Sequence, residues 1–200
     1  MITFDHFAIA AATLEEGCAF VSDRLGHEMG PGGTHALMGT HNRLSGLGSG
    51  EYLEVIAVDP AAPPPPHPRW FNLDRRIGVP RVGNWIARTG DLDAVLANFP
   101  EAGRALRFER GPYRWRMAVP DDGILPFDGC FPALIQWDSP APAFVDSGMR
   151  LNALALTHPK GADLAMILER LIDDPRITIG VGPRRIAAQI ATPAGLRDIE

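Results

Sequence analysis

The first candidates for chemistry in this sequence are two polar residues that lie in apolar segments. Glu54 is flanked by Tyr-Leu and Val-Ile-Ala, and His6 is followed by Phe-Ala-Ile-Ala. A carboxylate costs several kcal/mol to bury unless it is paired or binds a metal. An imidazole and a carboxylate on adjacent strands suit Zn²⁺, Mn²⁺, Fe²⁺ or Ni²⁺. The alternative is a His–Glu hydrogen bond with no metal.

A second pair of candidates, His41 and Asn42, follows on one predicted strand. Successive side chains of a strand point to opposite faces, so one of the two is expected to face the interior. An inward His41 would be a third ligand or a general base, and an inward Asn42 would bind substrate. Leu44 lies on the Asn42 face, which favours Asn42 as the inward residue.

Five more residues could contact a substrate, and one of them is Asn84. Arg114 and Arg116 share one face of a predicted strand and could clamp a carboxylate or phosphate. The alternative for both is a solvated outer face. Trp70 follows a proline run and is either an aromatic lid or part of linker packing. Gln136 could contribute an amide oxygen.

These residues are positioned by a repeated βαβββ pattern. The first copy is predicted at residues 2–11, 13–25, 35–38, 40–47 and 51–58. The second copy is predicted at residues 84–87, 91–99, 106–109, 113–119 and 131–138. The helix cap Thr13 lies seven positions after His6, and the cap Asp91 lies seven positions after Asn84. The repeat therefore predicts that His6 and Asn84 occupy equivalent positions.

The pattern divides the chain into segments of one compact domain. The first module spans residues 1–59 and the second spans 83–140, with a proline-rich connector at 60–82 between them. A shorter βαββ unit is predicted at 150–194, where it would complete the core. The fold class expected is therefore α+β.

Composition excludes several classes of protein. The chain has 200 residues and a net charge of −5, which argues against nucleic-acid binding. No apolar run approaches the length of a membrane span. No P-loop or Rossmann fingerprint is present. Cys18 and Cys130 fit no zinc or redox spacing, and no leader precedes the first strand, so we expect reduced thiols in a cytoplasmic protein.

Two βαβββ units with a His on the first strand and a Glu on the fourth resemble the vicinal oxygen chelate superfamily. That superfamily includes glyoxalase I, extradiol dioxygenases and bleomycin-binding proteins. The resemblance is closest to glyoxalase-like domain proteins, and the segments that carry it are Asp5-His6, 39–42, 52–57, 68–71, 114–120, 125–127 and 157–159. It implies two sheets curled into a partly open barrel, with metal and substrate inside.

The second module departs from the superfamily's ligand pattern. Asn84 stands in the position of His6, and Ala133 or Leu134 stands in the position of Glu54. At most half a metal site remains, with His6 and Glu54 as ligands and His41 or water completing it. The pocket's polar groups are therefore expected on the first module, with apolar walls on the second.

The resemblance implies a divalent-metal-dependent lyase or isomerase acting on a small carbonyl or hydroxy substrate, with Glu54 and His41 as catalytic groups. The alternative is a non-catalytic binding protein of the bleomycin-resistance type. The partners expected are a small molecule and, as an option, a second copy of the chain in a homodimer.

Overall fold

The computed structural model describes residues 1–75 and 78–200, and its fold is α+β. The first module comprises β1 (Thr3–Ala10), α1 (Leu14–Leu25), β2 (Gly32–His35), β3 (Thr40–Gly48) and β4 (Glu51–Val58). The second comprises β5 (Arg81–Arg88), α2 (Leu92–Asn98), β6 (Arg104–Arg110), β7 (Tyr113–Val119) and β8 (Ala133–Trp137). The C-terminal unit comprises β9 (Arg150–His158), α3 (Gly161–Leu168), β10 (Ile177–Val181), β11 (Arg185–Thr192) and β12 (Gly195–Ile199). The predicted tandem βαβββ organisation is confirmed.

The two modules share one eight-stranded sheet with the order β2-β3-β4-β1-β5-β8-β7-β6. β1 and β5 pair antiparallel at its centre, and the edge strands β2 and β6 come into contact. The sheet is therefore a nearly closed barrel, as predicted. The C-terminal unit forms a separate sheet with the order β10-β9-β11-β12, and its last strand, β12, was not predicted from the sequence.

The connector between β4 and β5 contributes Trp70 and Leu73 to the apolar cluster inside the barrel. Its described residues contain no strand, and its regular structure is a 3-10 turn at Trp70–Arg75. Phe71 and Asn72 within this turn adopt left-handed backbone conformations, with φ angles of 58° and 56°. Residues 76 and 77 of the predicted connector lie outside the described residues.

The barrel sheet has an apolar layer on each face. The outer layer includes Phe7 and Trp85 and packs against α1, α2 and the C-terminal sheet. The Trp85 indole N–H donates to the carbonyl of Cys130 at 2.8 Å, which satisfies its buried polar atom. The inner layer fills the barrel largely with aromatic and aliphatic side chains, among them Ile56, Trp70, Ile86, Phe108, Trp115 and Met117.

Helix α1 shows why the sequence folds as it does locally. Its cap Thr13 accepts a hydrogen bond from the N–H of Glu16 at 3.2 Å, as the capping-box pattern predicts. The helix ends at Gly26, whose φ of 64° is readily adopted by glycine. Among the described residues, no helix is long and apolar enough to cross a membrane.

A β-bulge in β1 decides which side chains face the barrel. The pairing of β1 with β5 shifts register between Phe4 and His6, so that Asp5 is an extra residue. Phe4 and Phe7 both lie in the outer layer, although strict alternation would place them on opposite faces. The bulge lets Asp5 contact the His6 ring inside the protein.

The pairing of β1 with β5 is symmetric about one pair of residues, Phe7 and Trp85. His6 immediately precedes Phe7, and Asn84 immediately precedes Trp85. The residue pairs on one side of this central pair correspond in order to the residue pairs on the other side, and each of the two strands contains one register shift. His6 and Asn84 are therefore equivalent positions of the two modules, as predicted.

The close packing of α1 on β4 gives a prediction about stability. A Cβ atom added at Gly17 would lie 2.4 Å from Cγ1 of Val55 and 2.9 Å from Cβ of Ala11. Overpacking costs about 1–3 kcal/mol, which exceeds the gain of about 1 kcal/mol in helix propensity. We expect Gly17→Ala to lower the free energy of unfolding by about 1–2 kcal/mol in a urea titration.

The matched background for this test is Val55→Ala, which removes the methyl group that the added Cβ atom would meet. In that background the loss caused by Gly17→Ala is expected to be smaller, because the propensity gain is then opposed only by the contact with Ala11. Equal losses in both backgrounds would show that the contact with Val55 is not the cause.

Candidate functional site

A buried carboxylate is at the centre of the polar cluster inside the barrel. Glu54 is only 5% exposed, although it lies in an apolar strand. Asn42 donates from Nδ2 to Oε1 of Glu54 at 2.7 Å. Nε2 of His6 lies 3.4 Å from Oε2 of Glu54. Both carboxylate oxygens therefore have a partner, which offsets the cost of burial.

His6 is held in place from its other side. Its Nδ1 lies 2.7 Å from Oδ1 of Asp5, the residue that the bulge inserts. The Trp137 indole N–H donates to Oδ2 of the same carboxylate at 3.1 Å. The Tyr52 ring stacks on the imidazole with 4.1 Å between ring centroids. Position and orientation of the imidazole are thus fixed by contacts on several sides.

The electrostatics of this pair favour the charged forms. Burial by itself would lower the pKa of His6, but hydrogen bonds to Asp5 and Glu54 outweigh it, and the pKa is raised. Burial by itself would raise the pKa of Glu54, but the hydrogen bond and charge of His6, with help from Asn42, lower it. Each group of the pair thus favours the charged form of the other.

A second histidine in the cluster is neutral. Nδ1 of His35 lies 3.1 Å from the Thr40 hydroxyl, and its Nε2 lies 3.4 Å from Nδ2 of Asn42. Burial lowers the pKa of His35 to about 4, and the positive charge of Arg110 acts in the same direction. His35 can therefore accept a hydrogen bond at neutral pH.

Arg110 closes the seam between the two edge strands. Its guanidinium donates to Oδ1 of Asn42 at 3.1 Å, and the N–H of Gly33 donates to the same oxygen at 2.9 Å. A Cβ atom at Gly33 would lie 2.6 Å from Cδ of Arg110, so glycine makes room for this crossing. The amide of Asn42 is thus fixed with its Nδ2 toward Glu54.

The cavity beside Glu54 is small, and a larger groove adjoins it. The cavity holds about 30 Å³, and Trp70, Phe71 and Trp115 are among its walls. A groove of about 550 Å³ shares Leu44 and Arg110 with it and opens to the surface. The groove gives a small molecule a route toward the polar cluster.

The second module supplies apolar residues where the first supplies polar ones. In the strand pairing, Glu54 lies beside Ala8 of β1, and Ala133 lies beside the equivalent residue, Ile86, of β5. Phe108 and Met117 likewise occupy the positions of His35 and Asn42. The polar groups of the barrel site are thus concentrated on the first module, as the sequence predicted.

The donor set falls short of a metal site of the usual kind. His6 and Glu54 are close enough for one ion, and Asp5 behind His6 is a typical partner of a metal-bound imidazole. Among residues 1–75 and 78–200, however, no group of three His, Cys, Asp or Glu side chains could hold an ion. Catalytic zinc normally has three protein ligands. The predicted divalent metal therefore stays a prediction with two donors.

The structure brings some of the predicted site residues together and leaves others apart. His6, Asn42, Glu54 and Trp70 line the small cavity. Asn84 faces the barrel but lines a different cavity. His41 is half-buried, lines neither cavity and makes no side-chain hydrogen bond within the described part of the chain. Its catalytic role stays a prediction that no contact supports.

Three predicted substrate contacts lie on the outer face of the second module. Arg116 pairs with Asp93 at 2.8 Å and donates to Oε1 of Gln136 at 2.8 Å. Gln136 also accepts from the first N–H of α2, at Leu92. Arg114 is exposed. The reason is strand alternation, which points the neighbouring Trp115 and Met117 into the barrel.

The sequence analysis missed four residues of the cluster: Asp5, His35, Tyr52 and Arg110. Strict alternation along β1 would place Asp5 on the face opposite His6, and only the bulge reverses this. The second strand was predicted at 35–38, whereas β2 comprises Gly32–His35 and ends at His35, so the predicted register did not bring His35 to the site. A usable signal for Tyr52 was its position two residues before Glu54, on the same face of the strand.

Comparison with known proteins agrees with this fold. The glyoxalase-like domain family model matches residues 4–172. A hypothetical protein from Staphylococcus aureus has a similar structure, with a TM-score of 0.57, 15% identity and coverage of 96% of this chain and 82% of that chain. The sequence has no match among curated proteins.

Methylmalonyl-CoA epimerases are more distant structural neighbours. The enzyme from Mycobacterium tuberculosis has a TM-score of 0.44 and 21% identity, and the match covers 70% of this chain and 89% of that enzyme's chain. The enzyme from Streptomyces coelicolor, in complex with 2-nitronate-propionyl-CoA, has a TM-score of 0.45 and 19% identity. That match covers 70% of this chain and 100% of the enzyme's chain. The fold defines a class of tandem βαβββ proteins. Within it, this chain belongs to the glyoxalase-like domain family.

The neutral state of His35 predicts a dependence of stability on pH. The ordinary pKa of 6.5 applies in the unfolded chain, and a pKa of about 4 applies in the folded protein. Between these values the unfolded chain binds the extra proton, so stability present above pH 6.5 is lost as the pH falls toward 4. The loss from this residue is about 3 kcal/mol.

The test is His35→Phe, which places the residue of the equivalent position, Phe108, in the first module. In urea unfolding at several pH values, the unfolding free energy of the variant should rise relative to that of the wild type as the pH falls from 6.5 to 4. A difference in unfolding free energy that does not change with pH would contradict a buried neutral His35.

Proposed function

We propose that this protein is a glyoxalase-like lyase or isomerase that moves a proton on a small carbonyl or hydroxy substrate. The observation that carries the proposal is Glu54, a buried carboxylate in contact with the imidazole of His6 and the amide donor of Asn42. Buried acid–base pairs of this kind are typical of sites where protons are transferred. Membership of the glyoxalase-like family supports a small molecule as the substrate.

Each residue of the cluster has a role in this reaction. Glu54 removes the proton from a carbon next to a carbonyl group, and the electrons of the C–H bond form the enolate. His6 donates from Nε2 to the oxygen that becomes negative, and Asp5 holds the imidazole in that orientation. Return of the proton from Glu54 to the neighbouring carbon, while the hydroxyl group on the other carbon of the enediol becomes a carbonyl by giving its proton to His6, completes an isomerisation. Loss of a group from the enolate completes a lyase reaction instead.

The base becomes stronger when substrate enters. In the structure, hydrogen bonds from His6 and Asn42 lower the pKa of Glu54. A substrate oxygen that accepts these hydrogen bonds would take them from the carboxylate and make it more basic. Arg110 lines both the groove and the cavity beside Glu54. When a substrate enters from the groove, Arg110 would therefore donate its hydrogen bond to a substrate oxygen instead of to Asn42.

The alternative is a protein that binds a small molecule without converting it. The observation that favours it is the small cavity beside Glu54, of about 30 Å³, together with the apolar residues of the second module. Such a protein would bind its ligand in the groove and show no proton transfer.

Hydrogen–deuterium exchange at carbon separates the two functions without knowledge of the product. A panel of small 2-hydroxy and 2-oxo compounds in ²H₂O is followed by ¹H NMR for loss of the signal next to the carbonyl group. We expect exchange with the wild type and a loss of at least about 10²-fold with Glu54→Gln, which keeps the shape and removes the base.

The matched control is Glu109→Gln, an exposed carboxylate on β6, which should exchange at the wild-type rate. Exchange that survives Glu54→Gln would assign the base elsewhere. Binding of panel compounds without exchange would support the non-catalytic alternative.

Removal of metal tests the predicted cofactor separately. Because only two donors are present, we expect exchange to persist in a chelator and titration with Zn²⁺, Mn²⁺, Fe²⁺ or Ni²⁺ to show weak uptake. Loss of exchange in chelator, restored by one of these ions, would instead support the metal-dependent enzyme predicted from the sequence.

The cytoplasmic location and the homodimer that the sequence analysis expects also stay predictions. Both Cys18 and Cys130 are free thiols. A cytoplasmic location would be checked by fractionation of cells, and a homodimer by the molecular mass in solution.

A further inference from the structure

A second cavity lies at the other side of the barrel's aromatic lining. It holds about 370 Å³, and among its walls are Ala10 at the end of β1 and Asn84 near the start of β5. Arg75 and Arg81 also line it, and Phe71 lines both this cavity and the one beside Glu54. The two cavities are therefore neighbours that share Phe71 as a wall.

Asn84 is a buried polar side chain that the protein itself leaves unsatisfied. It is 1% exposed, and neither Nδ2 nor Oδ1 has a hydrogen-bond partner among the described residues. Buried side-chain amides in proteins nearly always have partners, so an exception needs an explanation. A ligand that both accepts from Nδ2 and donates to Oδ1 would provide it.

The repeat explains why this space exists in the second module. In the first module, His6 has the Asp5 carboxylate of the bulge as its partner. The equivalent bulge in β5 falls at Gly83, which has no side chain to offer Asn84. Asn84 thus keeps the inward position of His6 and lacks the internal partner.

The charge of the cavity is positive. Arg75 and Arg81 form no ion pair within residues 1–75 and 78–200. Arg184 also lines the cavity and donates to the backbone carbonyls of Val82 and Gly83. One acid, Asp128, faces these cations, and its carboxylate lies 3.3 Å from Nε2 of His158.

We propose that this cavity binds a small 2-hydroxycarboxylate. The carboxylate accepts from the guanidinium groups of Arg75 and Arg81 and from Nδ2 of Asn84, and the 2-hydroxyl donates to Oδ1 of Asn84. A neutral ligand would leave the arginines unpaired, and the dianionic phosphate group of a phosphate monoester would offer Oδ1 no donor. This site does not depend on the reaction proposed for Glu54.

Lactate is the probe, and its neutral analogue lactamide is the control ligand. Binding to the wild type is measured by ¹H–¹⁵N NMR titration, in which the Asn84 side-chain amide is followed directly. We expect lactate to shift this signal saturably and lactamide to bind at least about tenfold more weakly, since charged hydrogen bonds supply much of the affinity. Absence of saturable binding of lactate, or equal binding of lactamide, would overturn the proposal.

Variants then locate the site. Arg81→Gln and Asn84→Leu should each weaken lactate binding at least about tenfold, whereas Arg107→Gln, an exposed arginine on β6, should not. The melting temperature of unliganded Asn84→Leu should equal or exceed that of the wild type, because the variant removes unsatisfied buried atoms. A lower melting temperature with lactate affinity unchanged would show that Asn84 is purely structural and would overturn the proposal.

Glu54→Gln separates this site from the proposed enzyme. Lactate affinity should stay within about twofold of the wild type, even when hydrogen–deuterium exchange is lost. If Glu54→Gln abolishes lactate binding as strongly as Asn84→Leu does, the probe occupies the Glu54 cavity and the second site is wrong. If exchange never occurs in any protein and lactate still binds at Asn84, the proposed reaction fails and this site stands.

Discussion

The burial of one carboxylate inside the barrel is the constraint on which the rest of the site depends. A charged Glu54 in an apolar strand is tolerated only because each oxygen meets a donor. The donors in turn need support, which Asp5 provides to His6 and Arg110 provides to Asn42. The carboxylate thus requires a bulge in β1 and a bridge across the seam between β2 and β6.

The same constraint explains the asymmetry of two modules that share one fold. Once the first module holds the charges, the second can fill its half of the barrel with rings and methyl groups at Phe108, Met117 and Ala133. These apolar walls lower the local dielectric and strengthen the interaction of His6 with Glu54. The divergence of side chains is therefore a division of tasks between equivalent positions, which leaves the pairing of β1 with β5 symmetric.

Much of the fold followed from local pattern, whereas contacts between distant segments did not. The cap at Thr13, the repeat and the equivalence of His6 with Asn84 are set by spacing along the chain, and the structure confirms them. The inward direction of Asn42 followed from a neighbouring leucine. Asp5 escaped prediction because a bulge depends on how two strands pair, which alternation along one strand does not contain. Arg110 escaped because its partner lies in the other module.

Phe71 shows how the connector, and not the sheets, divides the interior into two spaces. Its left-handed backbone costs about 1–2 kcal/mol for a residue with a Cβ atom. The next residue, Asn72, donates its N–H to the carbonyl of Gly123 at 2.8 Å, which anchors the strained turn to the second module. With the turn held, the Phe71 ring stacks on Trp70 at 5.0 Å between centroids. His6 of the Glu54 cluster and Asn84, which occupy equivalent positions and are both turned inward, thus line separate cavities, so that each can meet a different ligand.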